Sequence, residues 1–536
     1  MSSAASGSGR ELRVEFTDPD ARVIDDPTGL WYVLCREAAA DEDVSRMIAK
    51  GDGADCCKRY RGALVVCVRR IEGRAHRLDA WRGLFSYAEL FYALKGIAGV
   101  IVSDHFRNVL ARWPRAERYP SEDGLTEHYL FRRPYGHTTI SAGVDRLGQA
   151  EKKSIDLASG QTASTMFDRL DVEPTRRSEN DYLDLVEAEL KDSLASVSAH
   201  DTNTMFFSGG VDSTLLLSYA KEVVTPFTFV TDTPEFRIET AYAREAAGMV
   251  GTALTEVSMP EADFLDMLEA ATESLGVPCF DDATPYLTRL AAEQPNNRMV
   301  VGLGADSAFG MSLKLARFSS WFRGPVVLPA VTALAKRMPG HLGFRMRQVA
   351  PKAAQFAKPL FDPGGFAGSA RTSGDTDLLQ KVLGRQRIEA AAQRELDDAA
   401  ERVSLTADPA EDFLSQIELA HWLVVFVNPL ASEHAAAHRL GKRVVSPYCD
   451  PGVLSALATI PVHDRYIRRL SAKWILKDLL VRRVPDYPVN RRKKSTALPW
   501  QRFYRSGPLT DIWNVYPVPD LFPGDLGRER IDEPSA

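Results

Sequence analysis

Hydrophobic and polar positions alternate over short distances in the first third of the chain. From about residue 12 to residue 171, short runs of β-branched and other apolar residues are bounded by polar residues or glycine. Residues 61–70 and 99–103 are two such runs, and the pattern is typical of β-strands. This part of the chain is therefore predicted to be rich in strands.

From about residue 178, strand-like and helix-like segments alternate. Parallel strands need crossover connections, and helices usually provide them, so this order predicts an α/β fold with a parallel sheet. Beyond about residue 310 the pattern is mostly helical. The predicted strands are 203–207, 226–230 and 298–302, and the predicted helices between them include 211–222 and 238–250.

Composition then narrows the class of protein. The 536 residues are 45% hydrophobic and 26% charged, which is ordinary for a globular chain, and the formal net charge of −6 gives no reason to expect binding to nucleic acid. The six cysteines contain no CxxC pair, which argues against a zinc ribbon and a disulfide scaffold. We therefore expect a cytoplasmic protein.

Two segments bear on targeting. Residues 1–10 are rich in serine and glycine and have no apolar core, so they predict a disordered leader and not a secretory signal. The most apolar stretch, 421–427, is far shorter than the roughly 20 residues that a membrane span needs. We expect no association with a membrane.

The strongest motif lies between a predicted strand and a predicted helix, at 208–214. Gly209 and Gly210 allow a sharp turn that brings backbone N–H groups close to an anion, and Ser208 and Ser213 add hydroxyl groups. Asp212 would repel a bare phosphate, so its presence implies a bridging Mg²⁺ ion. The motif lacks the lysine of a Walker A loop, and taken alone it could be a plain strand–turn–helix connection.

The string SGGVDS resembles the PP-loop of ATP pyrophosphatases, which cleave ATP to AMP and pyrophosphate. Other segments, in the same order as in the family, are similar to the asparagine synthetase and β-lactam synthetase superfamily. A rival class, the tRNA-modifying or sulfur-transfer PP-loop enzymes, usually needs a catalytic cysteine or a basic RNA-binding domain, and neither is evident. The similar segments are 282–286, 302–310 (GLGADSAFG), 446–451 (SPYCDP), 473–477 (KWILK) and 491–499.

The resemblance implies roles for particular residues. Asp306 would join Asp212 in holding Mg²⁺, and Gly304 would lie against the nucleotide. Lys473 and Lys493 would be the catalytic lysines, on the phosphate side and on the intermediate side respectively. Without the resemblance, Asp306 could simply cap a helix, and the basic residues near 491 could form a solvated surface.

Two further histidines lie one helical turn apart. His434 and His438 could share a metal ion, with Glu433 beside them. The spacing is not HExxH and the sequence shows no third ligand, so a pair of ordinary core or surface histidines is the alternative. A contact with substrate is a third interpretation.

The N-terminal region resembles the glutamine-hydrolysing half of asparagine synthetase, with 79–83 and 100–104 in matching places. That half needs an N-terminal cysteine, whereas Met1 is followed here by Ser2. The resemblance predicts a degenerate Ntn-hydrolase-like αββα domain over 11–175, without glutaminase activity, as in β-lactam synthetases and lasso-peptide cyclases. A PP-loop synthetase domain with added helices is predicted over 176–536.

Leu303 stands where asparagine synthetase has glutamate and β-lactam synthetase has tyrosine. Leucine cannot accept a proton, so strict asparagine synthesis is disfavoured. We expect an ATP-dependent synthetase that adenylates a small-molecule or peptide carboxylate for attack by an amine, in natural-product biosynthesis. A lactam or lasso-peptide cyclase, an ammonia-dependent asparagine synthetase and a non-catalytic scaffold remain alternatives, and a homodimer remains open.

Overall fold

The structure is a computed structural model, and it describes most of the chain in segments. The long gaps are 310–382 and 511–536. Asp282 and Lys493, which the sequence analysis singled out, also lie outside the described residues. The described ranges are 2–6, 11–18, 21–35, 41–50, 53–72, 74–94, 99–114, 117–131, 136–198, 203–233, 236–279, 284–294, 296, 298–309, 383–406, 415, 418–419, 421–422, 425, 431–467, 471–491, 502–503 and 506–510.

The N-terminal region contains two sheets. One has the strand order β1-β2-β8-β7-β9, and the other has the order β11-β10-β6-β5-β4-β3. The strands are β1 (Ser2–Ser6), β2 (Glu11–Glu15), β3 (Arg22–Asp26), β4 (Gly29–Leu34), β5 (Leu64–Ile71), β6 (Arg74–Arg82), β7 (Phe91–Leu94), β8 (Gly99–Ser103), β9 (Val144–Arg146), β10 (Glu151–Asp156), β11 (Thr162–Met166) and β12 (Leu170–Asp171). The helices are α1 (Asp41–Ala49), α2 (Gly53–Arg59), α3 (Phe106–Arg112) and α4 (Glu122–Phe131).

The two sheets pack face to face between outer helices. One apolar core joins Val14 and Val100 of the first sheet to Val66 and Leu78 of the second. Successive side chains of a strand point to opposite faces of its sheet. The outward-facing side chains of the second sheet pack against α1 and α2, and those of the first sheet pack against α3, which forms two separate cores. The described part of this region thus has four layers, in the order helix, sheet, sheet, helix.

The start of the chain differs from the prediction. The sequence predicted a disordered leader over 1–10, whereas Ser2–Ser6 forms strand β1, antiparallel to β2. Sheet pairing satisfies the backbone N–H and C=O groups of such a segment without requiring apolar side chains. Composition alone does not reveal this, because the partner strand supplies the hydrogen bonds.

The second region is built on a parallel sheet with the order β15-β14-β13-β16-β18. Its strands are β13 (Asn203–Phe206), β14 (Val224–Val230), β15 (Thr255–Ser258), β16 (Arg298–Val300) and β18 (Arg443–Val445), and β17 (Val403–Ser404) pairs with β12. The helices are α5 (Glu179–Ser198), α6 (Val211–Ala220), α7 (Arg237–Val250), α8 (Phe264–Leu275), α9 (Thr284–Glu293), α10 (Ala305–Phe309), α11 (Arg385–Arg402), α12 (Ala431–Arg439), α13 (Pro451–Ala458) and α14 (Trp474–Arg483).

Helices cover both faces of this sheet. Met205 of β13 and Val300 of β16 face one core, which contains residues of α5, α6 and α14. Phe206 and Met299 face the other core, with residues of α8 and α9. The predicted α/β fold with a parallel sheet is confirmed, and each of the three predicted strands overlaps an observed one. The predicted domain boundary near 175 stays a prediction.

Within the described ranges, no helix combines the length with the apolar character that crossing a bilayer requires.

Candidate active site

The turn after β13 depends on glycine. Gly209 has φ +67, in the left-handed region, and a Cβ atom at this position would lie 2.5 Å from the carbonyl carbon of Tyr242. Glycine is therefore required both by the backbone conformation and by the close approach of α7. Ser208 Oγ lies 3.3 Å from Ser213 Oγ across the turn. The predicted loop is thus a tight turn that leads directly into α6.

Two tyrosines hold this turn from distant parts of the chain. The Tyr487 hydroxyl donates to the carbonyl of Gly209 at 2.6 Å, and the Tyr448 hydroxyl donates to the carbonyl of Asp212 at 2.8 Å. Burial raises the pKa of Tyr448 well above its ordinary value, so this hydroxyl keeps its proton and remains a donor. Sequence reasoning missed both tyrosines, although Tyr448 lies within the quoted segment SPYCDP.

Three charged side chains converge beside the turn. Lys473 Nζ lies 2.6 Å from Asp212 Oδ2 and 2.6 Å from Asp306 Oδ1. Asp212 follows β13 in the first turn of α6, and Asp306 follows β16 in the first turn of α10. Because β13 and β16 are neighbouring parallel strands, their carboxyl ends bring the two carboxylates to one edge of the sheet. The structure therefore brings together three of the residues predicted from the sequence.

The charge balance of this cluster keeps the lysine protonated. Burial lowers the pKa of Lys473, but Asp212 and Asp306 more than offset that effect, and the pKa is raised overall. Asp306 remains accessible, with 81% of its side chain exposed, whereas the side chains of Lys473 and Asp212 are 14% and 16% exposed. The cluster is anchored in the protein on one side and open to solvent on the other.

The backbone of Lys473 is itself unusual. It has φ 55 and ψ 36, the left-handed conformation, immediately before α14. For a residue with a Cβ atom this conformation costs about 1–3 kcal/mol, and such residues are found where the surrounding structure holds a functional group in place. The lysine stands at the start of a half-buried helix, with its ammonium group between the two carboxylates.

The segment around Gly304 completes the edge of the sheet. Gly304 has φ +83 and its carbonyl accepts a hydrogen bond from the backbone N–H of Ala308 at 2.8 Å, which begins α10. Ser446 Oγ donates to the carbonyl of Leu303 at 2.5 Å, which joins this turn to the end of β18. Lys493 and Asp282 lie outside the described residues, and their predicted roles remain predictions.

An aromatic cluster lies against this edge. Phe229 of β14 stacks on Tyr286 with ring centres 4.5 Å apart, and on Phe206 at 5.9 Å. Leu303 packs against the same apolar core. Sequence reasoning missed this cluster, because its members come from separate strands and a helix. The stacked rings and Leu303 belong to one apolar core on the α8 and α9 side of the sheet.

The donor set suits a magnesium nucleotide. Carboxylate oxygens are the protein ligands that Mg²⁺ prefers, and Asp212 and Asp306 supply them at one point. The N-terminus of α6 offers backbone N–H groups and the positive end of its helix dipole to an anion. The residues present therefore fit a phosphate group bound through a divalent cation.

This arrangement defines a class of protein: an α/β protein with a glycine-dependent turn and paired carboxylates at the carboxyl edge of a parallel sheet, where such folds bind ligands. A model of the asparagine synthase family matches residues 185–514, more than half of the chain, and the chain belongs to that family. It is therefore an ATP-dependent ligase that forms amide bonds; members of the family use ATP, usually with Mg²⁺. A comparison with curated proteins gave no match to this chain.

Proposed function

We propose that this ligase activates a substrate carboxylate as its acyl-adenylate and passes the acyl group to an amine. The observation that carries the proposal is the convergence of Asp212, Asp306 and Lys473 beside the turn at 208–213. A carboxylate oxygen bonds to the α-phosphorus of ATP and pyrophosphate leaves. The amine nitrogen then bonds to the acyl carbon, AMP leaves, and the amine loses a proton.

Each residue has a defined task in this scheme. Ser208, Gly209, Gly210 and Ser213 bind the phosphates, with Gly304 against the nucleotide. Asp212 and Asp306 hold Mg²⁺, which neutralises phosphate charge when bound. The ammonium group of Lys473 lies beside the two carboxylates and stays charged, so it would stabilise negative charge on the departing pyrophosphate.

Lys493 completes the scheme from outside the described residues. Arg491, two residues earlier, lies with its guanidinium 4.2 Å from the ring centre of Tyr242, whose backbone packs against Gly209. The chain thus enters the segment of Lys493 close to the phosphate turn. In the proposal, Lys493 stabilises the oxyanion that forms when the amine attacks the acyl-adenylate.

The acceptor side of the site favours substrates with apolar character. Leu303 cannot take a proton from the attacking amine, and it packs on the same apolar core as the aromatic cluster of Phe206, Phe229 and Tyr286. These features support a natural-product substrate, joined either to its own amine as a lactam or peptide macrolactam or to a separate small amine. They count against aspartate as the acid of an ammonia-dependent asparagine synthetase.

The four-layered N-terminal region is proposed to be an Ntn-hydrolase-like remnant without glutaminase activity. Such chemistry needs a reactive thiolate with its own α-amine as base. The cysteines at 56, 57 and 67 are buried inside α2 and β5, and burial raises the pKa of Cys67 to about 12. Burial denies these three thiols the access to substrate that a nucleophile needs.

The test is pyrophosphate release from Mg²⁺–ATP across a panel of amino acids, linear precursor peptides with acidic side chains, and apolar carboxylic acids. The proposal expects release with at least one acid, and formation of an amide when an amine is added. The variant Asp306→Asn should release none. Release by this variant at the wild-type rate, or the absence of release with every acid, would contradict the proposal.

A further inference from the structure

A second polar cluster lies between the N-terminal region and α12. Strands β2 and β8 are parallel neighbours, with Glu15 opposite Ser103 in the register. Asp18 follows the end of β2 and Asp104 follows the end of β8, so both carboxylates lie at the same edge of that sheet. The helix α12 crosses this edge, and its two histidines come from consecutive turns of one face.

The side chains meet at distances longer than hydrogen bonds. His434 Nε2 lies 3.9 Å from Asp18 Oδ2, and His438 Nε2 lies 3.6 Å from Asp104 Oδ2. The two imidazole rings are nearly parallel, with centres 5.6 Å apart. The ligand atoms of Asp18, His434 and His438 all lie within 4.8 Å of one another. The three ligand atoms are therefore close enough together to bind one ion.

The cluster is closed to solvent. The side chains of Asp18, His434 and His438 are 1%, 5% and 3% exposed. Among the described residues, His438 Nε2 is buried and has no hydrogen-bond partner. A buried ring nitrogen without a partner is costly, and such an atom commonly marks a ligand or ion.

Asp104 holds the backbone segment that carries Asp18. Its carboxylate accepts hydrogen bonds from the backbone N–H groups of Asp18 at 2.7 Å and Thr17 at 2.9 Å, and from the Thr17 hydroxyl at 3.1 Å. These bonds fix the backbone that carries Asp18. Outer partners of this kind orient the ligands of metal sites in proteins.

We propose that Asp18, His434 and His438 bind one divalent transition-metal ion of the zinc type, which joins the N-terminal region to the synthetase region. Two imidazole nitrogens and one carboxylate oxygen form a donor set that zinc favours. With zinc–ligand distances of about 2.0–2.2 Å, the ligand atoms would need to approach to roughly 3–3.5 Å, a small adjustment of the side chains. Because the site is closed to solvent, its role is structural.

This assignment supplies the third ligand that the sequence did not reveal. Asp18 lies in a different region of the chain from α12, so the spacing of His434 and His438 could not indicate it. A pair of buried histidine–aspartate contacts without metal is the competing interpretation. The two differ in a measurable quantity, which is the affinity of the folded protein for zinc.

The experiment uses the full chain, stripped with a chelator and then titrated with Zn²⁺ by calorimetry and with Co²⁺ by visible absorption. The wild type should bind one equivalent of each, and the cobalt form should gain a visible absorption band that the stripped protein lacks. Asp18→Asn and His434→Gln should each weaken zinc binding by more than the roughly 10–100-fold that loss of an outer partner costs. His463→Gln, at a histidine whose side chain is 57% exposed, is the matched control and should bind as the wild type does.

Failure of the stripped wild type to bind stoichiometric zinc or cobalt would overturn the proposal and leave two histidine–aspartate contacts. Undiminished binding by both Asp18→Asn and His434→Gln would overturn it as well. If a variant does not fold, the wild-type titration and the cobalt spectrum still decide the question. None of these measurements depends on ATP or on amide formation.

Discussion

Two clusters of polar side chains in this molecule have the same arrangement at the ends of parallel strands but differ in their exposure to solvent. In each, a residue follows the end of each of two neighbouring parallel strands, and a helix from elsewhere in the chain supplies the opposite charge or the nitrogen ligands. Asp306 of the first cluster is 81% exposed, whereas Asp18 of the second is 1% exposed at its side chain. The arrangement of the strands determines which side chains come together, and their burial determines whether a ligand can reach them from solvent.

Exposure to solvent determines whether a bound ligand can exchange at each cluster. The Asp212–Lys473–Asp306 cluster carries its own counter-charge and is open to solvent at Asp306, as the proposed exchange of a magnesium nucleotide requires. The Asp18–His434–His438 cluster has no comparable opening among the described residues, so an ion held there would stay through many turnovers. The comparison predicts that changes in the first cluster alter activity, and changes in the second alter stability.

The largest effect is expected from Asp212→Asn and Asp306→Asn. Each removes one negative charge from the magnesium ligands, and Mg²⁺ affinity depends on that charge, so pyrophosphate release should fall to background. Circular dichroism should remain that of the wild type. Asp184→Asn, at an exposed carboxylate on α5 paired with Arg482, is the control and should keep full activity.

A smaller loss is expected from Lys473→Met. Removing one fixed donor from developing charge typically costs about 10²–10³ in rate, so kcat for pyrophosphate release should fall by that factor. Lys221→Met, at the exposed lysine that follows α6, should leave kcat unchanged. Equal rates for Lys473→Met and the wild type would remove the lysine from the catalytic assignment.

Zinc should change the thermal stability of the protein through the second cluster and not through the first. A ligand present at a hundredfold excess over its Kd stabilises the folded state by about 2.7 kcal/mol, so zinc should raise the midpoint of thermal unfolding. The rise should be absent in Asp18→Asn and present in Asp212→Asn. A zinc-dependent rise that survives in Asp18→Asn would place the ion elsewhere.

The smallest effect tests the phosphate turn. In Gly209→Ala the new Cβ atom meets the backbone of Tyr242 at 2.5 Å and the left-handed conformation becomes strained, so stability should fall by about 1–3 kcal/mol. Gly248→Ala, within α7 and with open space around it, should instead stabilise the protein by roughly 0.5–1 kcal/mol. Urea unfolding measures both changes, and a matching loss in the two variants would contradict the argument for Gly209.

Local patterns predicted much of the fold. The strand–turn–helix unit around SGGVDS and the strands near 226–230 and 298–302 were confirmed, because alternation of apolar residues and the placement of glycine act over a few residues. Lys473 was found only through a family resemblance, since it lies 261 positions from Asp212 in the chain. No local pattern indicated the role of Tyr487, because its hydroxyl reaches the carbonyl of Gly209 through the packing of distant parts of the chain.

The sequence by itself determined the class of fold, the glycine turn after β13 and the types of residue that carry charge beside it, since each of these depends on side chains close together in the chain. The tertiary structure alone decided which distant groups meet. It paired Ser2–Ser6 with β2, placed Lys473 between two carboxylates, and brought Asp18 to the histidines of α12. The physical reason is that such contacts depend on how sheets and helices pack, and no short stretch of sequence encodes that packing.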